Sequence, residues 1–189
     1  MDASFPLSYT EIGPSNISGS TNYALSIHSN VTDNPIFNLW ILDSGKDNCE
    51  GQKGNLFLQS RQISFKNISV HEFPLFLLGW GCIKNDQIKW YESRSSLFAN
   101  TYGYIIPSIA FFHIPLPEVI SKFFEISILN LLKYLDLWNN EVTEGSMQEN
   151  SICCSSYNTG FFESAVKMKD IIGMYCGHDH MNDFQGKNG

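Results

Sequence analysis

The sequence predicts an α/β fold with a partly parallel sheet. Three short apolar runs carry that prediction: Ile36–Leu42, Ser108–Phe112 and Asp170–Cys176. Each is halted by turn-forming or polar residues, as buried strands are. An amphipathic helix falls between the first run and the second, and strand–helix–strand alternation builds parallel layers. At 189 residues the chain is long enough for a single domain.

Residues 1–22 are rich in Ser, Thr, Gly, Pro and Asn and read as loop, with 1–19 wholly so. Tyr23–His28 (YALSIH) alternates apolar and polar residues, which suits a half-buried strand. Val31–Pro35 is a turn. Ile36–Leu42 (IFNLWIL) follows Pro35 and ends at Asp43-Ser44-Gly45, the pattern of a buried strand closing in a tight loop. Lys46–Gly54 is a polar loop. Asn85–Asn100 places Ile88, Tyr91, Leu97 and Phe98 near one stripe, with Asn85 or Asp86 as N-cap. Ser108–Phe112 stops at His113-Ile114-Pro115-Leu116-Pro117, because proline cannot continue a central ladder. Phe161–Lys169 reads as a short helix, and Asp170–Cys176 stops at Gly177-His178-Asp179-His180. Leu56–Leu78 and Phe123–Leu137 are apolar, lack turn signals and match no neighbour. The first reads as a strand or an irregular insert, the second as a helix.

Composition narrows the function. A chain 43% hydrophobic and 16% charged is not disordered. With net charge −7 and only 12 Lys and Arg, it lacks the phosphate-neutralising footprint of a nucleic-acid binder. No basic and apolar leader pattern follows Met1 and Asp2. Phe73–Gly81 is too short to span a bilayer, and Ile126–Leu137 is broken by Asn130, Lys133 and Asp136, so a soluble protein with no membrane span is expected. Five cysteines, with Cys153 and Cys154 adjacent, do not read as a disulfide framework. Sequons at Asn16, Asn30 and Asn67 matter only if a longer parent is secreted.

Ligands of open α/β sheets sit beyond the carboxyl ends of the strands. The residues there are Asp43, His113, His178 and His180. Imidazoles two residues apart in extended backbone point to one side, so His178 and His180 can grip one metal or two adjacent metals. Gly177 would permit the turn that lifts both rings, and Asp179 could accept a hydrogen bond from one ring and orient it. H-x-H is also an ordinary pair in a polar loop. His113 by itself reads as a core or loop residue, but its strand delivers it to the same edge as His178. His28 and His71 sit among polar residues, and Asp-Ser-Gly at Asp43 is simply a good turn. Cys153, Cys154 and Cys176 near two histidines raise a structural zinc site, without the C-x₂-C spacing that makes such sites recognisable. No Walker loop, G-x-S-x-G elbow or glycine-rich dinucleotide fingerprint occurs.

In order along the chain stand S-T-N-Y-A-L (20–25), L-D-S-G (42–45), G-W-G-C-I-K-N-D-Q-I-K-W-Y (79–91), F-F-H-I-P-L-P-E (111–118), N-T-G-F-F (158–162) and G-H-D-H-M-N-D-F (177–184). This set resembles the calcineurin-like metallophosphoesterases, in particular the purple acid phosphatase branch that includes the plant type described as inactive and related fungal phosphatases. The resemblance implies a four-layer α/β/β/α sandwich with two metal ions at the strand ends. It implies His113 and His178 as ligands of one ion and His180 as a ligand of the other. It also implies a small phosphate-ester substrate attacked by metal-activated water, with iron, zinc or manganese as the ions.

The family's D-x-H, G-D-x-x-D and G-N-H-D/E motifs are absent from the 189 residues. In the family these carry the bridging aspartate, the asparagine ligand and the histidine that assists the leaving group. The chain is therefore expected to be the C-terminal half of the metallophosphoesterase domain: one partial domain over 1–189, with 56–78 and 123–137 read as insertions or as translated intron sequence. It would leave a strand edge and an apolar sheet face uncovered. The first functional expectation is the C-terminal portion of a metal-dependent phosphoesterase. The second is a non-catalytic remnant that holds one metal weakly or none. The third is a small zinc domain built on Cys176 and the histidines.

Overall fold

A computed structural model of the chain describes residues 4–47, 49, 80–119, 143–148, 152–155 and 157–186. Leu56–Leu78 and Phe123–Leu137 lie outside the described residues. The architecture is α/β. Strands β1 (Tyr23–His28), β2 (Pro35–Ile41), β3 (Ser108–Phe111) and β5 (Ile171–Tyr175) form a mixed sheet in the order β1-β2-β3-β5. β1 is antiparallel to β2, while β2, β3 and β5 run parallel. Each predicted apolar run is thus a strand, and all three parallel strands deliver their carboxyl ends to one edge. A polar ribbon of β4 (Thr143–Met147) and β6 (Asn182–Gly186) was not expected. Its sequences TEGSM and NDFQG carry no apolar alternation. Gly145 is required there, because its φ is 108° and a Cβ would collide with the Asp183 carbonyl.

Helix α1 (Asn85–Tyr102) connects β2 to β3, and α2 (Phe161–Met168) precedes β5. The cap of α1 is Lys84, not Asn85 or Asp86; its N–H is taken by the Gln87 side chain at 2.7 Å. Asp86 instead accepts from the Ser18 N–H and hydroxyl, tying the N-terminal loop to the helix start. Gly103, at φ 79°, closes the helix with its N–H on Ala99 O. The buried face is Gln87, Ile88, Tyr91 and Ser95. Leu97 is not part of it: it is 52% exposed, while Phe98 packs on the core.

Both helices cover the face of the sheet that carries Trp40 and Ala110. Trp40 is fully buried and meets Trp90, Tyr91 and Phe98 edge-on; Phe161 meets Tyr91 and Phe112 in the same way. Within this apolar core lies Asp170, 2% exposed. Its carboxylate accepts from Tyr91 OH, Ser95 Oγ and Trp40 Nε1, and Trp40 Nε1 is shared with Ser108 Oγ. Burial, and after it the Asp170 carboxylate, push the Tyr91 phenol far above its ordinary pKa, so it keeps the proton that it donates to Asp170. On the opposite face Phe111 and Tyr175 stack at 5.3 Å and are exposed among the described residues.

The cysteines do not read as a disulfide framework, yet one pair among the described residues is joined. Cys49 and Cys82 are bridged, with Cα atoms 5.2 Å apart. A spacing of 33 residues has no motif value; the fold joins them by aligning Lys46–Asp47 with Trp80–Gly81 through one bridge pair and the Gly81 N–H on Lys46 O. Closing a loop of 33 residues restricts the unfolded chain by about 3–4 kcal/mol. Reduction should lower the unfolding free energy by about that amount, read from urea transitions with and without reductant.

Candidate metal centre

The site is built from three loops that follow β2, β3 and β5. After β2, Asp43 organises its own turn: one carboxylate oxygen accepts from Gly45 N–H at 2.8 Å and the other from Ser20 N–H at 2.7 Å. Asp43 is thus a turn and loop clamp, as its Asp-Ser-Gly context suggested. Gln87 reinforces it by donating to Asp43 O and to Asn22 Oδ1, both at 2.7 Å. The next residue reaches the second loop. Ser44 is 2% exposed, and its hydroxyl oxygen accepts the backbone N–H of His113 at 3.2 Å and of Ile114 at 2.9 Å. Ser44→Ala would leave those two donors without their acceptor, a cost of about 1–3 kcal/mol. Amide exchange at His113 and Ile114 should accelerate in this variant while exchange in α1 changes little.

The third loop is tied to the second by backbone. Phe112 N–H donates to Tyr175 O and Gly177 N–H to His113 O, both at 3.1 Å. Gly177 lies in this turn as expected, and the residue with left-handed backbone is His178, φ 77°. A side chain in that region costs roughly 1–2 kcal/mol, and histidine is one of the residues enriched there. The turn brings His178 Nδ1 to 3.2 Å from His113 Nε2, with ring centroids 5.1 Å apart and planes at 81°. Trp80 meets the His178 ring edge-on at 4.1 Å. His113 is exposed and His178 half-buried, so the pair is open to solvent on one side.

Does this pair fit a metal ion? Two imidazole nitrogens bound at about 2.0–2.1 Å in tetrahedral geometry stand roughly 3.3–3.4 Å apart. The observed 3.2 Å is a ring-to-ring hydrogen-bond contact, and its length is close to that separation, so the same pair of nitrogens could close on a cation.

Asp179 accepts the Cys153 N–H on both carboxylate oxygens, each at 3.2 Å, and the Asn182 side-chain amide at 3.3 Å. One donor atom each from Cys153, His178 and Asp179 lie within 4.8 Å of one another. Sequence reasoning raised Cys153 together with Cys154 and Cys176 as a structural zinc set without C-x₂-C spacing; of the three, only Cys153 lies in this group. Cys154 is buried, and burial, then the Asp179 charge, push its thiol up to about 12, so it stays protonated. Cys176 is exposed and outside this group, as is the exposed His180 at the following turn.

Fold and site together define a class: an α/β protein whose parallel strands present an imidazole pair at their carboxyl edge. Sequence comparison shows what the chain is similar to. The chain is 28% identical over 182 residues to probable inactive purple acid phosphatase 29 of Arabidopsis thaliana, covering 90% of this chain and 36% of that protein. It is 25% identical over 195 residues to probable inactive purple acid phosphatase 14 of the same plant, covering 95% of this chain and 39% of that protein. Probable inactive purple acid phosphatase 28 is 31% identical over 108 residues, 57% of this chain and 23% of that protein. The chain is similar to these purple acid phosphatase relatives along most of its length. It spans less than two fifths of the length of each of these relatives. No protein-family profile and no solved structure matches it. No described helix is long and apolar enough to cross a membrane.

Proposed function

We propose that this chain forms the histidine-bearing half of a purple acid phosphatase-type metal centre, set in a calcineurin-like four-layer sandwich of which β1, β2, β3 and β5 with α1 and α2 are one sheet and its helical layer. The observation that carries this reading is the 3.2 Å approach of His113 Nε2 and His178 Nδ1 from the ends of two adjacent parallel strands. These two rings hold one cation, and His180 is the ligand available to a second. In a complete centre such ions supply an activated water and neutralise the phosphate ester's charge.

The chain's own residues position that chemistry. Ser44 fixes the His113 backbone, the Gly177 N–H on His113 O fixes the distance between the two loops, and Trp80 flanks the His178 ring. Asp179 anchors the Cys153 segment against the same turn. The ligand in the full-length protein is a small phosphate monoester.

A non-catalytic role for the polypeptide itself is favoured by a specific observation: D-x-H, G-D-x-x-D and G-N-H-D/E do not occur in its sequence. Without a bridging carboxylate, two cations about 3.5–4 Å apart are not held against their repulsion. The 189-residue polypeptide should therefore bind one zinc ion and show no turnover of p-nitrophenyl phosphate with zinc, manganese or iron. Calorimetric titration and a phosphatase assay test this together. Absence of zinc binding would overturn the metal centre, and robust His178-dependent turnover would overturn the non-catalytic role.

A further inference from the structure

Cys49 and Cys82 are joined. Structural disulfides form and persist in oxidising compartments and are rare where cellular thiols keep cysteines reduced. Secreted chains that pass through such a compartment receive glycans on Asn-x-Ser/Thr sequons in surface loops. Asn16-Ile17-Ser18 and Asn30-Val31-Thr32 are two sequons among the described residues. We propose that this chain matures in an oxidising, glycosylating compartment and carries an N-linked glycan at Asn30. Neither the bridge nor the sequon depends on metal at the histidines.

The loop between β1 and β2 suits a glycan. Asn30 and Thr32 are exposed, and Val31 between them is 85% exposed. The loop takes its shape from Ser29: Ser29 N–H donates to Asn34 O, Asp33 N–H to Ser29 O, and Val31 N–H to Ser29 Oγ. The Asn30 side chain is not used in that closure, so a bulky polar group on it displaces nothing packed. The loop also precedes β2, whereas the histidine loops follow the carboxyl ends of the parallel strands. The seven residues of β2 set the two ends about 23 Å apart, so the glycan leaves the histidine pair open. Asn16 is exposed as well, but its loop lies at the other end, where Ser18 donates to Asp86 and Ser20 to Asp43. At the Asn30 end, β1 is an edge strand among the described residues, and Ile27 and Ile36 are 48% and 51% exposed. A strand edge flanked by apolar side chains invites association between chains, and a glycan there covers it.

In the transfer, the Asn30 amide nitrogen bonds to the anomeric carbon of a lipid-pyrophosphate-linked oligosaccharide. The bond from that carbon to the pyrophosphate oxygen breaks, the lipid pyrophosphate leaves with the electron pair, and the amide gives up one proton. Nothing is oxidised or reduced in that step. Joining Cys49 to Cys82 passes two electrons and two thiol protons to a disulfide-carrying oxidase of the same compartment.

The test is the full chain secreted from a eukaryotic cell behind a cleavable leader. An amidase that strips N-linked glycans converts a glycosylated asparagine to aspartate, which mass spectrometry of the peptides reads. The expected result is conversion at Asn30 and, before reduction, a peptide pair linked through Cys49 and Cys82. Asn30→Gln and Thr32→Ala should each remove one glycan's step in gel mobility, the second with Asn30 still in place. If either variant is not secreted, the wild-type peptide decides. An unconverted Asn30 overturns the site, even where Asn16 or Asn67 is converted. Free thiols at Cys49 and Cys82 in the secreted chain overturn the oxidising compartment.

Discussion

Asp170→Ala should cost about 3–5 kcal/mol of folding free energy, the largest stability effect expected of any single substitution among the described residues. Three donors converge on this buried carboxylate: Tyr91 OH, Ser95 Oγ and Trp40 Nε1. Truncation leaves the first two with no acceptor in an apolar core and leaves Trp40 only Ser108 Oγ. Each buried donor left without a partner costs about 1–3 kcal/mol, and the loss of a buried charged hub reaches the upper end of what single changes do. Asp170→Asn keeps one acceptor oxygen and the shape, so it should cost less than half as much. Tyr91→Phe removes one donor and leaves two, and should be milder still. Urea unfolding measures all three. The stakes extend to the site, because Asp170 O also accepts the Ser108 N–H at 2.7 Å and so helps align β3 with β5, the strands that carry the histidines.

The second large effect is on metal affinity. His178→Asn should weaken zinc binding more than about a hundredfold. Losing even a contact that merely supports a ligand costs roughly 10–100-fold, and His178 is itself one of the two rings of the pair, 3.2 Å from His113. Asparagine is the informative replacement, because it tolerates the left-handed backbone at φ 77° where alanine would be strained. His113→Ala should lose about tenfold or more without a backbone penalty, its carbonyl bond to Gly177 being main-chain. His180→Ala should leave the single-ion affinity unchanged, since His180 is outside the cluster. Calorimetric titration with zinc separates the three.

The parallel sheet was legible because strands covered on a face are written as apolar runs, and Pro35, Pro115 and Gly177 mark where they begin or end. The convergence of His113 and His178 was legible for the same reason: both follow the carboxyl ends of adjacent parallel strands. The polar ribbon was not, because TEGSM and NDFQG owe their pairing to backbone and to Gly145. The Lys84 cap was hidden because its partner is the Gln87 side chain rather than its own. The Cys49–Cys82 bridge and the approach of Cys153 to His178 depend on tertiary proximity across 33 and 25 residues, which no local pattern encodes. The left-handed backbone at His178 was not legible, because histidine gives no turn signal of its own as glycine does.

The most direct test of the metal centre is anomalous scattering at the zinc edge from crystals of the chain grown with zinc. The account predicts one strong peak at about 2.0–2.1 Å from both His113 Nε2 and a His178 ring nitrogen. A zinc peak bound elsewhere, or a well-ordered pair of rings bonded to each other with no peak between them in saturating zinc, would contradict it.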